Sequence, residues 1–274
     1  EDSKTTLFSK QLESAELALE KERRESSPEY LQRQKDKFEA VVRKTEFEAE
    51  GSTIEEAKFI QKICNKFNLN HKIKIGGAEA KNDYIQSIRI GSQYVVAPMV
   101  ETGFAALKFI NMTNEIKNPK SLNLEINIET INSVKEIDKI LKISKSKITG
   151  YTIGRTDLAS SFFNKKIKPN SKKIFNLINY LIKKIKKSNK KNKITIGGSV
   201  DKKTFEILNQ NKSLLKKINK IETRKVVFNI NDFAKNVSAL EDALEFEKIF
   251  NTYMFLKTEN PRFKKRIAQL NKRT

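Results

Sequence analysis

From about residue 41 onward the chain alternates short β-rich runs with helical patterns, and this alternation restricts the fold more than any other feature. "VVRKTEF" precedes "TIEEAKFIQKICNKF", "KIKI" precedes "AEAKNDYIQSIRI", "YVVAP" precedes "GFAALKFINMTNEI", and "LNLEINI" precedes "TINSVKEIDKILKI". After "ITGYTIG" come a long loop and the helix "KKIFNLINYLIKKIKK", then "KITIGG", "KKTFEILNQ" and a last strand "IETRKVVF". Strands that alternate with helices pair in parallel through right-handed crossovers. Roughly seven units are visible, close to the eight of a (β/α)8 barrel. The expectation is an α/β protein of TIM-barrel type over residues 41–236, with an atypical or missing strand; an open doubly wound sheet shows the same alternation.

Helical patterns flank that region. Residues 1–40 read as an N-terminal extension, with "TTLFSKQLESAELALEK" amphipathic and Ser27-Pro28 as a helix start. Residues 237–274 open with a capping-box pattern, Ser238 and Glu241, and a last helix starts at Asn260-Pro261. These C-terminal helices are expected to pack on the barrel or on a neighbouring subunit, and a homo-oligomer is expected.

Charge excludes less than it suggests. There are 55 Lys+Arg against 33 Asp+Glu, a formal charge of +22. The excess is mostly lysine beside abundant isoleucine and asparagine, and few aromatics interleave the lysines of the 164–193 stretch, so base stacking has little to work with. That stretch reads as an outer helix: Ile174, Phe175, Ile178, Leu181, Ile182 and Ile185 share one face and lysines the other. No specific nucleic-acid partner is expected. Cys64 is the only cysteine, which precludes a disulfide framework within one chain. No apolar run is long enough to span a bilayer and no signal-peptide pattern opens the chain, so a soluble, cytoplasmic protein without a membrane partner is expected.

In a parallel α/β protein the chemistry sits at the carboxyl ends of the strands. Reading those ends in order gives Glu46, Glu48 and Glu50, Lys74, Glu101, Glu129, Asp157, the two "IGG" turns, and Glu222 with Arg224. Glu129 and Asp157 each close an apolar run one unit apart. Two carboxylates at adjacent strand ends suit a single hard divalent cation, with water or substrate oxygens completing an octahedron. The competing reading is that each acid caps the helix after it. Arg155 either braces Asp157 or faces an anionic substrate. Gly76 and Gly77, like Gly197 and Gly198, would let backbone amides approach a carboxylate or phosphate. His71 precedes its strand, on the side of the fold that serves stability. No Ser/His/Asp triad, HExxH or Walker A motif is present.

Three segments together resemble the HpcH/HpaI aldolase/citrate lyase family: "GSQYVVAPMVETGFAAL", "INIETINSV" and "YTIGRTDLASSF". The resemblance covers about residues 41 to 200 and implies a metal-dependent barrel that makes or breaks carbon–carbon bonds beside an enolate. It implies that Glu129 and Asp157 hold Mg2+ or Mn2+. Asn127 stands at the polar position two before the metal glutamate, and Gly154 opens the segment similar to the family's Gly-x-x-Asp-Leu-Ser motif. Lys74 falls where many members have the arginine that holds the substrate carboxylate. A lysine there keeps the charge but loses the bidentate fork.

Within "EFEAEG" the histidine of the family's Asp-x-Glu-His motif is replaced by Ala49, so another group must move the proton: Glu48, Glu50 or a metal-bound water. The substrate-binding set is then Lys74, Gly76, Gly77, Asn127 and Gly154, and the catalytic set Lys74, Glu48, Glu50 and Arg155. The implied function is a lyase acting on a small 2-oxo or 2-hydroxy carboxylate. An acyl-CoA or phosphoenolpyruvate-type relative is the alternative among enzymes. Outside enzymes, the missing histidine favours an inactive basic scaffold, and retention of both carboxylates opposes it.

Overall fold

A computed structural model describes residues 42–47, 50–235 and 238–271. Eight strands close into a barrel in sequence order. They are β1 (Val42–Glu46), β2 (Asn70–Lys74), β3 (Tyr94–Ala97), β4 (Asn123–Ile128), β5 (Gly150–Gly154), β6 (Lys193–Gly197), β7 (Lys220–Glu222) and β8 (Val226–Asn229). The intervening helices are α1 (Ile54–Lys66), α2 (Lys81–Ile90), α3 (Gly103–Asn114), α4 (Ile131–Lys135), α5 (Ile137–Ser144), α6 (Arg155–Ser160), α7 (Lys172–Ser188), α8 (Lys202–Gln210) and α9 (Lys212–Leu215), with α10 (Ile230–Lys235) after β8.

The barrel departs from the expected alternation at its end. "IETRKVVF" is not one strand: it folds back after Glu222, so β8 runs antiparallel to both β7 and β1. Strands β1 to β7 are parallel neighbours throughout. A three-residue link thus stands where a barrel of this type has a βα loop, helix and αβ loop. Two smaller departures also occur. "TINSVKEIDKILKI" breaks into α4 and α5 at Glu136, and the segment read as a loop after β5 opens with α6.

The strands' outward faces carry the apolar core. Ile73, Val95, Ile126, Ile128, Tyr151, Ile153, Ile194, Ile196 and Ile221 are fully buried against the helices. The inward faces are charged, unlike the branched aliphatic filling usual inside such barrels. Lys44 reaches across to Glu222 (2.8 Å) and to Glu46 (2.7 Å). Lys72 bridges Glu125 (2.7 Å) and Glu222 (3.2 Å), and Lys74 pairs with Glu46 (3.4 Å). With Lys220 near Glu125 (3.8 Å), a chain of alternating charge runs from the barrel floor to its mouth. Burial raises the Glu222 carboxyl, but Lys44 and Lys72 outweigh it and hold the group down at about 2. Lys44 and Lys72 stay charged for the reciprocal reason: burial opposes their charge, and the glutamates more than offset it.

Three glycines make room for this filling. A Cβ on Gly150 would lie 2.9 Å from Cγ of Glu125, one on Gly197 3.0 Å from Cγ of Glu222, and one on Gly154 2.6 Å from Oε2 of Glu129. Each glycine sits on the strand beside its glutamate, so the carboxylate occupies the space of the missing side chain.

His71 points outward from β2, away from the mouth. Its Nε2 lies 2.9 Å from the Thr45 hydroxyl and its Nδ1 2.9 Å from Oε1 of Gln61. Because that amide oxygen can only accept, Nδ1 carries the proton. Burial, reinforced by Lys225, depresses the imidazole to about 3, so it stays neutral in the folded state while the unfolded chain takes up a proton below about 6.5. Its contribution to stability is therefore complete above pH 6.5 and is lost as pH falls toward 3. Between pH 6.5 and 5 the wild type should lose about 2 kcal/mol more than His71→Gln. Urea midpoints measured across that interval check the difference in slope.

The barrel, residues 40–236, is one compact unit, and α11 (Ser238–Thr258) and α12 (Pro261–Leu270) belong to another. In α12 the Asn260 side chain accepts from the Arg262 amide with Pro261 at the first helical position, as its sequence predicts. Glu247 and Arg266 join the two helices (2.6 Å) over buried Phe250 and Phe263. The expected N-terminal helix and the Ser27-Pro28 start lie outside the described residues. None of the described helices is long and apolar enough to cross a membrane.

Candidate active site at the barrel mouth

Glu129 directly follows β4 and Asp157 lies in the first turn of α6, directly after β5, so parallel pairing of these strands brings both to one rim. Neither is a helix cap. Thr130 caps α4 through its own hydroxyl, and the N-cap of α6 is Gly154, which has no side chain. Oε1 of Glu129 accepts from the Met99 amide (2.9 Å) and Oε2 from Nδ2 of Asn127 (3.1 Å). Burial pushes the Glu129 carboxyl above its ordinary range. Lys74 and the Met99 amide pull it down, and the nearby Asp157 charge adds to the push. Asp157 and Lys74 thus act on the Glu129 carboxyl in opposite senses.

The donor set fits a hard divalent ion. Among the described residues no group of three or more His, Cys, Asp or Glu could hold a metal. Two carboxylates are nevertheless what magnesium usually takes from a protein, keeping its remaining positions for water and substrate. Two observations favour that fit. The buried Oδ1 of Asn127 has no hydrogen-bond partner, and Gly154 leaves the cradle that admits the Glu129 carboxylate.

The other predicted residues divide. Lys74 is at the mouth, between Glu46 and Glu129. Glu50 is there too: its carboxylate meets Lys225 closely, with Nε of Arg224 at 3.7 Å. Burial raises the Glu50 carboxyl, with Lys225 opposing and Glu46 adding to the rise. In Glu46, burial is outweighed by Lys44 and Lys74, leaving the group at about 2. Glu48 and Ala49 lie outside the described residues.

Arg155 is fully buried and faces the β6 loop instead of the mouth. Its Nε donates to the Gly197 carbonyl (3.2 Å), one terminal nitrogen to the Gly198 carbonyl (2.6 Å) and the other to Asn170 (2.7 Å). It braces the turn that flanks Asp157. The Gly76 amide is engaged by Asp83 (2.7 Å), whereas a side chain at Gly77 would meet open space. Lys225 and the hairpin that carries it escaped the sequence reading, because "TRK" contains none of the glycine or asparagine that marks a tight turn.

The HpcH/HpaI aldolase/citrate lyase model matches residues 74–217, just over half of the chain. The chain belongs to that family. Its fold is similar to a solved HpcH/HpaI aldolase/citrate lyase family protein from Burkholderia cenocepacia J2315, with a TM-score of 0.55 at 11% identity over 74% of this chain and 83% of that one. An HpcH/HpaI aldolase from Desulfitobacterium hafniense DCB-2 gives 0.53 at 11% identity, over 66% and 75%. The citrate synthase SbnG gives 0.50 at 11% identity, over 61% and 72%. No curated protein sequence matches the chain. Membership makes this HpcH/HpaI protein a lyase of aldolase/citrate lyase type, in a family that generally uses divalent metals. Its matched stretch begins at Lys74, so Glu46, Glu50 and the β7–β8 hairpin lie beyond it.

Proposed function

We propose that this HpcH/HpaI protein is a divalent-metal-dependent carbon–carbon lyase acting on a 2-oxo or 2-hydroxy carboxylate. The observation that carries the reading is the pair Glu129 and Asp157 at one rim, placed there by the parallel pairing of β4 and β5, with neither serving as a helix cap. Both carboxylates would hold Mg2+ or Mn2+, which when bound supplies Lewis-acid stabilisation of the negative charge that develops on a substrate oxygen.

The chain's own groups do the rest. Asn127 fixes the Glu129 carboxylate through Oε2, and Met99 fixes it through Oε1. The Lys74 ammonium, held by Glu46, provides a preorganised positive charge for the substrate carboxylate. Glu50 moves the proton in place of the histidine that Ala49 replaces. A carboxyl raised by burial lies closer to neutral pH, where a general base works best. Arg155 acts at one remove, by holding the Gly197-Gly198 turn against α6.

Exchange of the methyl protons of pyruvate in D2O tests this reading, because it needs only enolisation and no second substrate. Exchange should depend on added Mg2+ or Mn2+ and should cease with a chelator. Exchange at the solvent rate with metal present would sink the proposal.

A further inference from the structure

We propose that the floor of the barrel, beneath β5, β6 and β7, binds single-stranded nucleic acid through its phosphates, without reading the bases. The proposal goes beyond the lyase reading and does not depend on it. It begins with where the charge lies. Stretches 142–149, 186–193 and 210–220, which lead into β5, β6 and β7, hold three, five and four lysines and no Asp or Glu. Because those strands are parallel neighbours, all three stretches meet at the end of the barrel opposite Glu129 and Asp157.

Helix dipoles explain only part of this. Lys142, Lys186 and Lys187 stand in the last turns of α5 and α7, where a cation offsets the partial negative charge of the helix end. Lys147, Lys190, Lys191 and Lys217 lie beyond the caps of α5, α7 and α9, are exposed, and pair with no carboxylate among the described residues. The segments that carry them are tied down. The Lys193 amide donates to the Thr149 carbonyl (2.9 Å), the Asn219 amide to the Ile194 carbonyl (2.8 Å), and the Lys186 ammonium to the Asn192 carbonyl (2.7 Å). Their cations also crowd one another: burial holds Lys186 below its ordinary range, and the Lys193 charge adds to the depression. In Lys220 burial leads again, Glu125 and Glu222 oppose it, and Lys72 and Lys193 add to it.

A phosphate backbone answers this arrangement. Neighbouring strands lie about 4.8 Å apart, so cations at three consecutive strand starts form a curved row of the kind that tracks a linear polyanion. The exposed large apolar side chains among the described residues are Ile54, Met99, Phe104, Leu107, Phe163 and Tyr180, and none lies in the three stretches. The floor therefore offers no anchor for entering a bilayer and no ring for stacking on a base. Its grip is electrostatic and indifferent to base sequence.

Fluorescence anisotropy of labelled oligo(U) and oligo(dT), each of about 20 nucleotides, titrated with the full chain over a range of salt concentrations, tests the proposal. The two should bind alike, with the logarithm of the binding constant falling against that of salt at a slope of about −3 to −5, the value for about four to seven phosphates of a single strand. Combining Lys147→Gln, Lys190→Gln, Lys191→Gln and Lys217→Gln should make that slope shallower by about 3 and weaken binding by about tenfold or more at low salt. Lys165→Gln, Lys166→Gln, Lys168→Gln and Lys172→Gln together remove the same charge from exposed positions on the mouth side, between β5 and α7, and should leave binding close to that of the wild type. Both sets are exposed, so circular dichroism should show the wild-type fold in each. Equal weakening by the two variants, or no binding of either oligonucleotide by the wild type at low salt, overturns the proposal. Capture by phosphatidylserine vesicles without binding of either oligonucleotide overturns it as well, in favour of a membrane surface.

Discussion

Replacing Asp157 with asparagine is expected to reduce metal-dependent proton exchange on pyruvate by about 1000-fold or more, the scale of losing several kcal/mol of transition-state charge stabilisation. Asparagine keeps the size of the side chain and removes its charge, leaving Glu129 as the only carboxylate of the pair. The helix should survive, since Gly154 and not Asp157 occupies the cap of α6. Unchanged circular dichroism together with lost exchange would separate a missing ligand from a missing fold. Exchange retained within tenfold would show that Asp157 has no part in the chemistry.

Glu222→Gln is expected to destabilise the barrel by about 3–5 kcal/mol, the usual cost of removing one partner from a buried ion pair. Glu222 holds both Lys44 (2.8 Å) and Lys72 (3.2 Å), and both lysines are buried. The carboxyl itself leads to a similar figure. Its fall from 4.5 to about 2 on folding is worth about 3 kcal/mol, an order-of-magnitude value that agrees with the mutational scale. The sign is that of a depressed acid. The contribution is complete above pH 4.5 and is lost as pH falls toward 2, so the variant should also lose this part of the wild type's acid sensitivity. Denaturant melts at pH 7 and pH 3.5 read both effects.

The route from sequence to structure differs from residue to residue. The barrel and the rim acids were legible because they rest on local pattern. Glu129 and Asp157 each end an apolar run before a helix, and parallel pairing of neighbouring strands then brings them together without further information. Lys44 and Lys72 were not legible. In a chain with 55 basic residues an inward lysine looks like a solvated one, and only the long reach to Glu222 and Glu125 reveals its place. The period-two spacing of Lys44 with Glu46 and of Lys72 with Lys74 was the available signal, charge on one strand face with isoleucine or threonine on the other.

Arg155 shows the limit of local reasoning. Its neighbour Asp157 suggested a shared site, but its guanidinium engages Gly197 and Gly198 more than forty residues away, a contact set by the register of β5 on β6. The reversal at β8 was hidden for a related reason. A turn made of Thr223, Arg224 and Lys225 carries no turn-forming residue, and it is held by the threonine hydroxyl and by β1.

The measurement that bears most directly on the central claim is Mn2+ binding followed by electron paramagnetic resonance, with and without a 2-oxo acid. The account predicts one Mn2+ per barrel, bound more tightly when pyruvate is present and lost in the Glu129→Gln variant. Absence of stoichiometric Mn2+ binding in the wild type, or binding that Glu129→Gln leaves intact, would contradict it.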